Sequence, residues 1–581
     1  LSEYPWERPL GARPLGDGRT EFRVWAPLAG APKLVLGPAR KPTGELPLEH
    51  AGYGIYELVT EAPAGTDYSY LIGNRRLPDP ASRWQPHGLQ GVSRVFEPRA
   101  PTPFTPKPMG KQVIYELHIG TFSDEGTFAG AIPHLAELAD LGITAIEIMP
   151  VAEFPGERGW GYDGIYLSAA QSSYGGPAGL TELIDAAHEL GLAVILDVVY
   201  NHIGPGGDKA LGAFGPYLTG KYETPWGKAM NFDDADCDPV REWVLQSAEG
   251  WTRDFGIDGL RLDAIHAIFD SSPKHIVAAV ATRVHAINPR KLVIAESGMN
   301  DPKVMRSQRR GGYGCDSAWA DDFHHALRTL ITDEHDGYYA DFGRVSQLAK
   351  AFHRPHVDDG DYSEFRKRRF GAPADDLSPP KFVVFSQDHD QVGNRAFGDR
   401  MPAAARPLAA FCTLLAPFTP MLFMGEEYGE NAPFQFFTDH IDKRVAEATR
   451  KGRRAEFRAF ASFGQEIPDP QAVGTFVASK LSRERDPELS ALYAELVRAR
   501  AELPVSIGPI EYDERAQWLS VVRGAYELLC NFSDRDLILP ARGWNMRLAT
   551  HAAVTIKGGK LTIPPLSGAL LVRSKSAERN G

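Results

Sequence analysis

Along the first hundred residues the apolar positions come in short runs broken by glycine and proline. FRVWAP (22–27), KLVLG (33–37), GIYELVT (54–60) and DYSYLIG (67–73) are rich in β-branched and aromatic residues, and such runs predict short strands. Together they predict a small immunoglobulin-like β-sandwich. Pro98, Pro101, Pro103, Pro106 and Pro108 follow and predict an extended linker, which puts a first boundary near residue 108. From residue 112 the pattern changes to buried strands alternating with amphipathic helices. The strands are expected in 112–118, 144–150, 192–200, 258–264, 292–297, 316–320, 381–390 and 419–427, with helices such as 131–142 and 179–191 between them. Repeated βα units imply a parallel sheet covered on both faces. Eight of them favour a closed (β/α)₈ TIM barrel. The competing doubly wound sheet lacks a glycine-rich phosphate fingerprint after its first strand.

Two connections are long. Residues 201–238 are rich in Gly, Pro and aromatics, and 341–380 in charge. Long loops on a barrel serve the catalytic face. The second reads as a solvated surface insertion, without a direct part in binding. A helix is expected near 486–502, and short β segments return over 505–575. The domain plan is thus a multidomain α/β chain: an N-terminal β-sandwich (1–108), a catalytic barrel (109–503) and a C-terminal β-sandwich (504–581). The polar tail SKSAERNG is expected to fray.

Composition narrows the class. With 581 residues the chain is too long for one ordinary core. Its net charge of -12 argues against a nucleic-acid or anionic-membrane surface. Cys237, Cys315, Cys412 and Cys530 form no CxxC or zinc spacing. Few, scattered thiols and a polar, Pro-rich start predict a cytoplasmic protein. The uncharged run 407–425 contains Pro407, Pro417 and Pro420, so it reads as a helix followed by a buried strand and not as a membrane span.

Polar residues at barrel strand ends are candidates for chemistry. The third expected strand leads to Asp197, Asn201 and His202. The fourth carries Arg261 and Asp263, the fifth ends in Glu296, and the seventh in His389 and Asp390. Arg261 and Asp263 are two apart, so a strand projects them from one face. A guanidinium beside Asp263 favours its ionised form. Glu296 follows the apolar run LVIA, where desolvation favours the protonated form. One ionised and one protonated carboxyl facing one bond is the retaining glycosidase arrangement, with the carboxyls about 5–5.5 Å apart. A metal site would also use Asp, Glu and His, but Arg261 would repel the cation.

DVVYNH (197–202), GLRLDAIH (259–266), IAES (294–297) and FSQDHDQVGN (385–394) resemble, in order, the four signature regions of the α-amylase superfamily, glycoside hydrolase family 13. The resemblance implies Asp263 as nucleophile, Glu296 as acid/base and Asp390 as transition-state stabiliser. It further implies that His202, Arg261, His389 and Tyr162 line the first sugar subsite, with Asp163 as a structural or binding partner and Asp197 mainly structural. Finer stretches, 153–164, 172–180, 224–233, 388–396 and 433–440, are similar to the members that release trehalose from maltooligosyl trehalose. That similarity implies a functional partner, maltooligosyltrehalose synthase, that makes the substrate. A branching or debranching enzyme of the superfamily is the alternative. Glu153, Trp226, Gln435 and Phe436 are expected at the cleft, the last two reading the trehalose end, with Phe434 and Phe437 equally well read as core. Many secreted α-amylases bind calcium through the Asn of the first motif. Here acids in the following loop are few until Asp233, so no metal or other cofactor is expected.

Overall fold

The structure is a computed structural model and describes residues 4–457 and 466–574. Eight parallel strands close a barrel. They are β1 (Ile114–Leu117), β2 (Ala145–Ile148), β3 (Ala193–Val198), β4 (Gly259–Leu262), β5 (Leu292–Ala295), β6 (Ser317–Trp319), β7 (Phe382–Val384) and β8 (Thr419–Phe423). Closure is direct: Ile114 of β1 pairs with Met421 of β8. Each falls inside a run expected to be a strand.

The alternation along these strands explains both the core and the site. One set of positions, including Tyr115, Ile146, Val194, Leu260 and Val293, packs outward into the large core shared with the helices. The other set points inward. At the amino ends it is apolar: Ile114, Ala145, Ile195 and Ile294 form a separate buried cluster with Val383, Phe385 and Met421. Two residues further on, the same faces carry Glu116, Glu147, Asp197 and Glu296, and β4 carries Arg261. The barrel interior therefore turns from apolar to ionisable toward its carboxyl-terminal mouth, as side chains at i and i+2 share a face.

Helices cover the barrel after most strands, among them Gly176–Glu189, Cys237–Glu249, Ile276–Ile287, Asp321–Thr332 and Arg406–Leu415. In Gly176–Glu189, Leu180, Leu183, Ile184 and Ala187 are buried, the 3–4 spacing of a helix face. The expected helix over 131–142 is split: Pro133 lies in a 3₁₀ turn, Ile132–His134, and the α-helix is Leu135–Leu141. After β5 the described residues form only the 3₁₀ turns Pro302–Val304 and Gln308–Arg310, because Pro302, Gly311, Gly312 and Gly314 interrupt any helix.

The two long connections carry structure. The first folds into a hairpin, Leu218–Thr224 with Gly227–Met230. The second, expected as a plain surface insertion, contains a helix, Val345–His353, and a small hairpin pairing Tyr362 with Arg369. That helix has an apolar face, burying Val345, Leu348, Ala349 and Phe352, while most of 361–369 is exposed. The run 407–425 is a helix, Arg406–Leu415, and the strand β8. Among the described residues no helix is long and apolar enough to cross a membrane.

Before the barrel lie two facing antiparallel sheets, one of Gly11–Pro14, Arg19–Trp25, Ile55–Glu61 and Glu49–Gly52, the other built on Lys33–Leu36 and Asp67–Ile72. Phe22, Leu34, Tyr68 and Tyr70 are buried between them. After the barrel, a five-stranded and a three-stranded sheet enclose Leu529, Leu561, Ile563 and Leu571. Cys412 and Cys530, 118 positions apart, meet with their sulfurs 3.7 Å apart where the C-terminal sheet docks on helix Arg406–Leu415. The tail from residue 575, expected to fray, lies outside the described residues.

Candidate active site

The mouth is built around Arg261. Its side chain is fully buried; Nη1 donates to Asp197 Oδ2 at 2.7 Å and to Asp263 Oδ1 at 2.8 Å, and Nη2 lies 3.8 Å from Glu296 Oε2. The guanidinium also sits 4.2 Å from the centroid of the Trp319 ring on β6, a cation–π contact. Strand β4 ends directly after this arginine. Asp263 follows it, and Ala264 turns sharply into the left-handed region, φ 38°, at a cost of about 1–2 kcal/mol for a residue with a Cβ. That turn aims the Ala264 N–H at Glu296 Oε2. The bend thus ties the end of β4 to the end of β5.

Burial pushes the Glu296 carboxyl up to about 8; Arg261 opposes this, and Asp263, Asp321 and Asp390 add to it. Asp197 is likewise raised by burial to about 6, with Arg261 pulling it down. So Glu296 holds a proton at neutral pH while sharing a guanidinium with Asp263.

A hydrogen-bonded chain runs round the mouth. Glu116, on β1, accepts from the His389 backbone N–H at 2.9 Å and from its Nδ1 at 2.6 Å. Burial alone would lower the His389 imidazole, but Glu116, Asp390 and Asp388 outweigh it and raise it to about 10. The protonated ring reaches Tyr162 Oη at 2.8 Å, and that hydroxyl donates to Asp197 Oδ2 at 2.6 Å. Tyr162 also lies over His389, centroids 5.2 Å apart. Gly161 makes this approach possible: its φ is 101°, and a Cβ there would come within 2.0 Å of the Pro150 carbonyl oxygen. Asp390 is the more open acid, with its side chain 44% exposed, and accepts from Asn394 Nδ2 at 2.9 Å.

His202 closes the opposite side. Its ring faces the Tyr162 carbonyl, 2.9 Å away, and the Asn201 amide oxygen. Trp226, half exposed at the tip of the hairpin after β3, stacks on it with centroids 4.4 Å apart. Asn201 Nδ2 donates to Asp263 Oδ2 at 2.7 Å, which orients that carboxyl. Asp233 is held by Tyr222, Ser271 and Lys221. Among the described residues no group of three or more His, Cys, Asp or Glu is arranged as a metal cage.

The structure thus brings together Asp263, Glu296, Asp390, Arg261, His202, His389, Tyr162, Asp197 and Trp226. Asp163 stands at the edge, its Oδ2 3.8 Å from His440 Nε2. One expectation needs correction. Glu153 does not face the cleft. It is fully buried, and its carboxyl accepts from the Ser172 N–H and hydroxyl. Gln435 uses its side-chain amide on the Phe397 carbonyl and its own carbonyl on the Trp160 indole. Phe436 packs edge-on against Trp160 and under the Arg453 guanidinium. These two are partly exposed and brace Trp160, and Phe434 and Phe437 are core.

Other participants were overlooked. Glu116 and Glu147 sit at the inward ends of β1 and β2, in YEL and IEI, and the strand-end rule that found Glu296 would have found them. Glu147 has both oxygens buried without a hydrogen-bond partner, and burial pushes its carboxyl well up, with Glu116 adding to the rise. The hairpin over 362–369 was also missed: Phe365 is exposed, and Arg366 adds to the lowering of His266 that burial causes and Asp263 opposes; His266 Nδ1 is 4.0 Å from Glu296.

Residues 102–209 match the catalytic domain of α-amylases, and residues 9–84 match carbohydrate-binding module 48, the isoamylase N-terminal domain. The chain is 45% identical over 514 residues to the malto-oligosyltrehalose trehalohydrolase of Saccharolobus solfataricus, covering 87% of this chain and 89% of that one. It is 41% identical over 589 residues to that of Rhizobium sp. strain M-11, covering 96% and 98%. The crystal structure of a candidate α-amylase from Salmonella typhimurium superposes with a TM-score of 0.87 at 34% identity, covering 97% of this chain and 99% of that one. With this identity sustained over nearly the whole length, the chain belongs to the malto-oligosyltrehalose trehalohydrolase family.

Proposed function

We propose that this protein is a retaining glycoside hydrolase that cleaves the α-1,4 bond beside the terminal trehalose of maltooligosyl trehalose and releases trehalose. The observation that carries the chemistry is one buried guanidinium serving two carboxyls, Asp263 at 2.8 Å and Glu296 at 3.8 Å, with burial holding the Glu296 proton to about pH 8. Asp263 attacks the anomeric carbon as Glu296 gives its proton to the departing glycosidic oxygen. Trehalose leaves and a glycosyl ester forms on Asp263. Glu296, now ionised, takes a proton from water, whose oxygen displaces Asp263 and restores the starting configuration. Asp390, with its exposed carboxylate beside the His389 cation, holds sugar hydroxyls and balances the developing oxocarbenium charge. Tyr162, His202 and Trp226 supply the flat walls of the first subsites.

The substrate is supplied by a malto-oligosyltrehalose synthase, the functional partner of this reading, and the four free thiols suit a cytoplasmic site of action. Product analysis on maltotriosyl trehalose beside maltopentaose tests the function. Trehalose and maltotriose with the α configuration retained, and slow cleavage of maltopentaose, support it. Transfer to new branches, or equal rates on both, would replace it with the branching or a plain amylase reading.

A further inference from the structure

The loops that build the mouth also build a second wall. A cavity of about 400 Å³ opens between the N-terminal sandwich and the barrel. The sandwich contributes Arg75, Leu77 and Gln90. The barrel contributes Tyr166 from the segment that carries Tyr162, Lys209 from the loop that carries His202, and Ile441 from the loop after β8. Mouth and cavity meet at Asp163. It directly follows Tyr162, its carboxylate lies 3.8 Å from His440 of the cavity wall, and its backbone packs on Gly204, where a Cβ would come within 1.9 Å of the Asp163 carbonyl oxygen. The loops after β2 and β3 thus touch at this point, and the Asp163 side chain stays one-third exposed.

The lining has the chemistry of a sugar site. Ile441, 60% exposed, and Leu77 offer apolar surface to C–H faces. Arg75, Gln90 and Lys209 offer donors to hydroxyls, and Asp442 offers acceptors. Mixed apolar walls with a few convergent polar groups are the pattern of small-ligand clefts. We propose that this cavity binds the distal glucose units of the malto-oligosyl chain, so that the N-terminal sandwich sets the enzyme's preference for longer substrates. The proposal rests on the mouth being the site of trehalose release.

The test compares kcat/KM on maltosyl trehalose and on maltohexaosyl trehalose for the full-length enzyme and for Arg75→Ala, Gln90→Ala, Ile441→Ala and the Arg75→Ala/Ile441→Ala pair. The first three side chains are exposed, so the fold tolerates their loss. The long-to-short ratio is expected to fall about three- to tenfold in the single variants and further in the pair, as losing a contact or two implies. A ratio equal to that of the parent enzyme, or equal losses on both substrates, overturns the proposal. If the parent enzyme releases trehalose from neither substrate, it is the reading of the mouth that fails. In that case titration of maltoheptaose into the parent and into Arg75→Ala/Ile441→Ala decides the cavity by itself: weaker binding by the variant supports it, and equal affinity overturns it.

Discussion

At the scale of single residues the site works by holding a proton on one buried carboxyl. Glu296 is raised to about 8 by burial, so it stays protonated well above the ordinary carboxylate range. Because the acid form is the catalytic one, kcat/KM is expected to fall on the alkaline side with an apparent pKa near 8. The sign for stability follows from the same shift. A folded-state pKa above the unfolded value gives a contribution fully present below about pH 4.5 and lost as pH rises through about 8. Melting curves from pH 5 to 9 should therefore show the parent losing stability relative to Glu296→Gln, while Glu296→Gln loses about 10²–10⁴ in turnover of maltotriosyl trehalose. Asp263→Ala, correctly folded by circular dichroism, is expected to lose many decades. An alkaline limb that persists in Glu296→Gln would assign the proton elsewhere.

The same scale gives a second prediction at His389. Its imidazole is raised to about 10 because Glu116, Asp390 and Asp388 outweigh burial. Glu116 makes both of its contacts with this one residue. Removing its charge in Glu116→Gln should bring the His389 titration down toward neutrality, read by NMR of labelled histidine. Tyr162 then loses its cationic neighbour, and kcat falls more at pH 8 than at pH 6. An unmoved His389 titration would show that Asp390 and Asp388 suffice. Unlike a merely structural role, this one changes a pKa.

At the scale of elements, the strand ends were readable and the loops were not. Asp197, Arg261, Asp263, Glu296, His389 and Asp390 could be named from the sequence because the barrel fixes what a polar residue at a strand end can face. Glu153 fails as a cleft residue for the opposite reason. It lies in a two-residue strand, Ala152–Glu153, whose pairing with Tyr166 is set by a register irregularity no local pattern announces. The aromatics of PFQFFTDH follow a strand too, yet Phe434 stacks on Trp160 at 5.2 Å and belongs to the core. The charged stretch before β7 is exposed over most of 361–369, as its composition suggests, and there it folds into the hairpin beside His266. That hairpin, with exposed Phe365 and with Arg366, and the Trp226 tip across the mouth are therefore the better candidates for reading the bent trehalose unit. Phe365→Ala or Arg366→Ala is expected to lower kcat/KM on maltotriosyl trehalose about 10- to 200-fold more than on maltopentaose, the range for lost shape and hydrogen-bond contacts. Gln435→Ala is expected to lower both alike, since it loses only the side-chain bond to the Phe397 carbonyl and keeps the backbone carbonyl on Trp160. Parallel losses in the hairpin variants would remove the hairpin from the leaving-group side.

At the scale of the whole molecule, the three-part plan followed from changes in hydrophobic period, whereas the docking between parts depends on buried arginines that look like surface residues in the sequence. Arg523, on the C-terminal strand Trp518–Arg523, is 2% exposed. Its guanidinium donates to the carbonyl of Leu415, the last residue of helix Arg406–Leu415, and to that of Pro504. Arg500, from helix Pro487–Glu502, donates to Leu414 and Ala416 at 2.8 Å each. Two cations therefore occupy the carbonyl-rich end of a barrel helix, where the helix dipole favours positive charge. Around them the fit is apolar and tight: a Cβ on Gly568 would come within 2.9 Å of the Phe411 ring. Arg523→Met keeps the bulk and removes the donors, leaving buried carbonyls unpaired. Hydrogen bonds to a charged group contribute about 1.5–3 kcal/mol, so the melting temperature should drop by several degrees, with new proteolytic cleavage near residues 503–510. Activity on maltotriosyl trehalose, assayed well below melting, should stay at the parent level, because no residue of the mouth comes from the C-terminal sheets. An unchanged melting temperature would mean that the contacts of Phe411, Cys412 and Gly568 hold the C-terminal part without the guanidinium. A fall in kcat in the still-folded variant would mean that the helix end it caps also positions β8 and the loop that follows it.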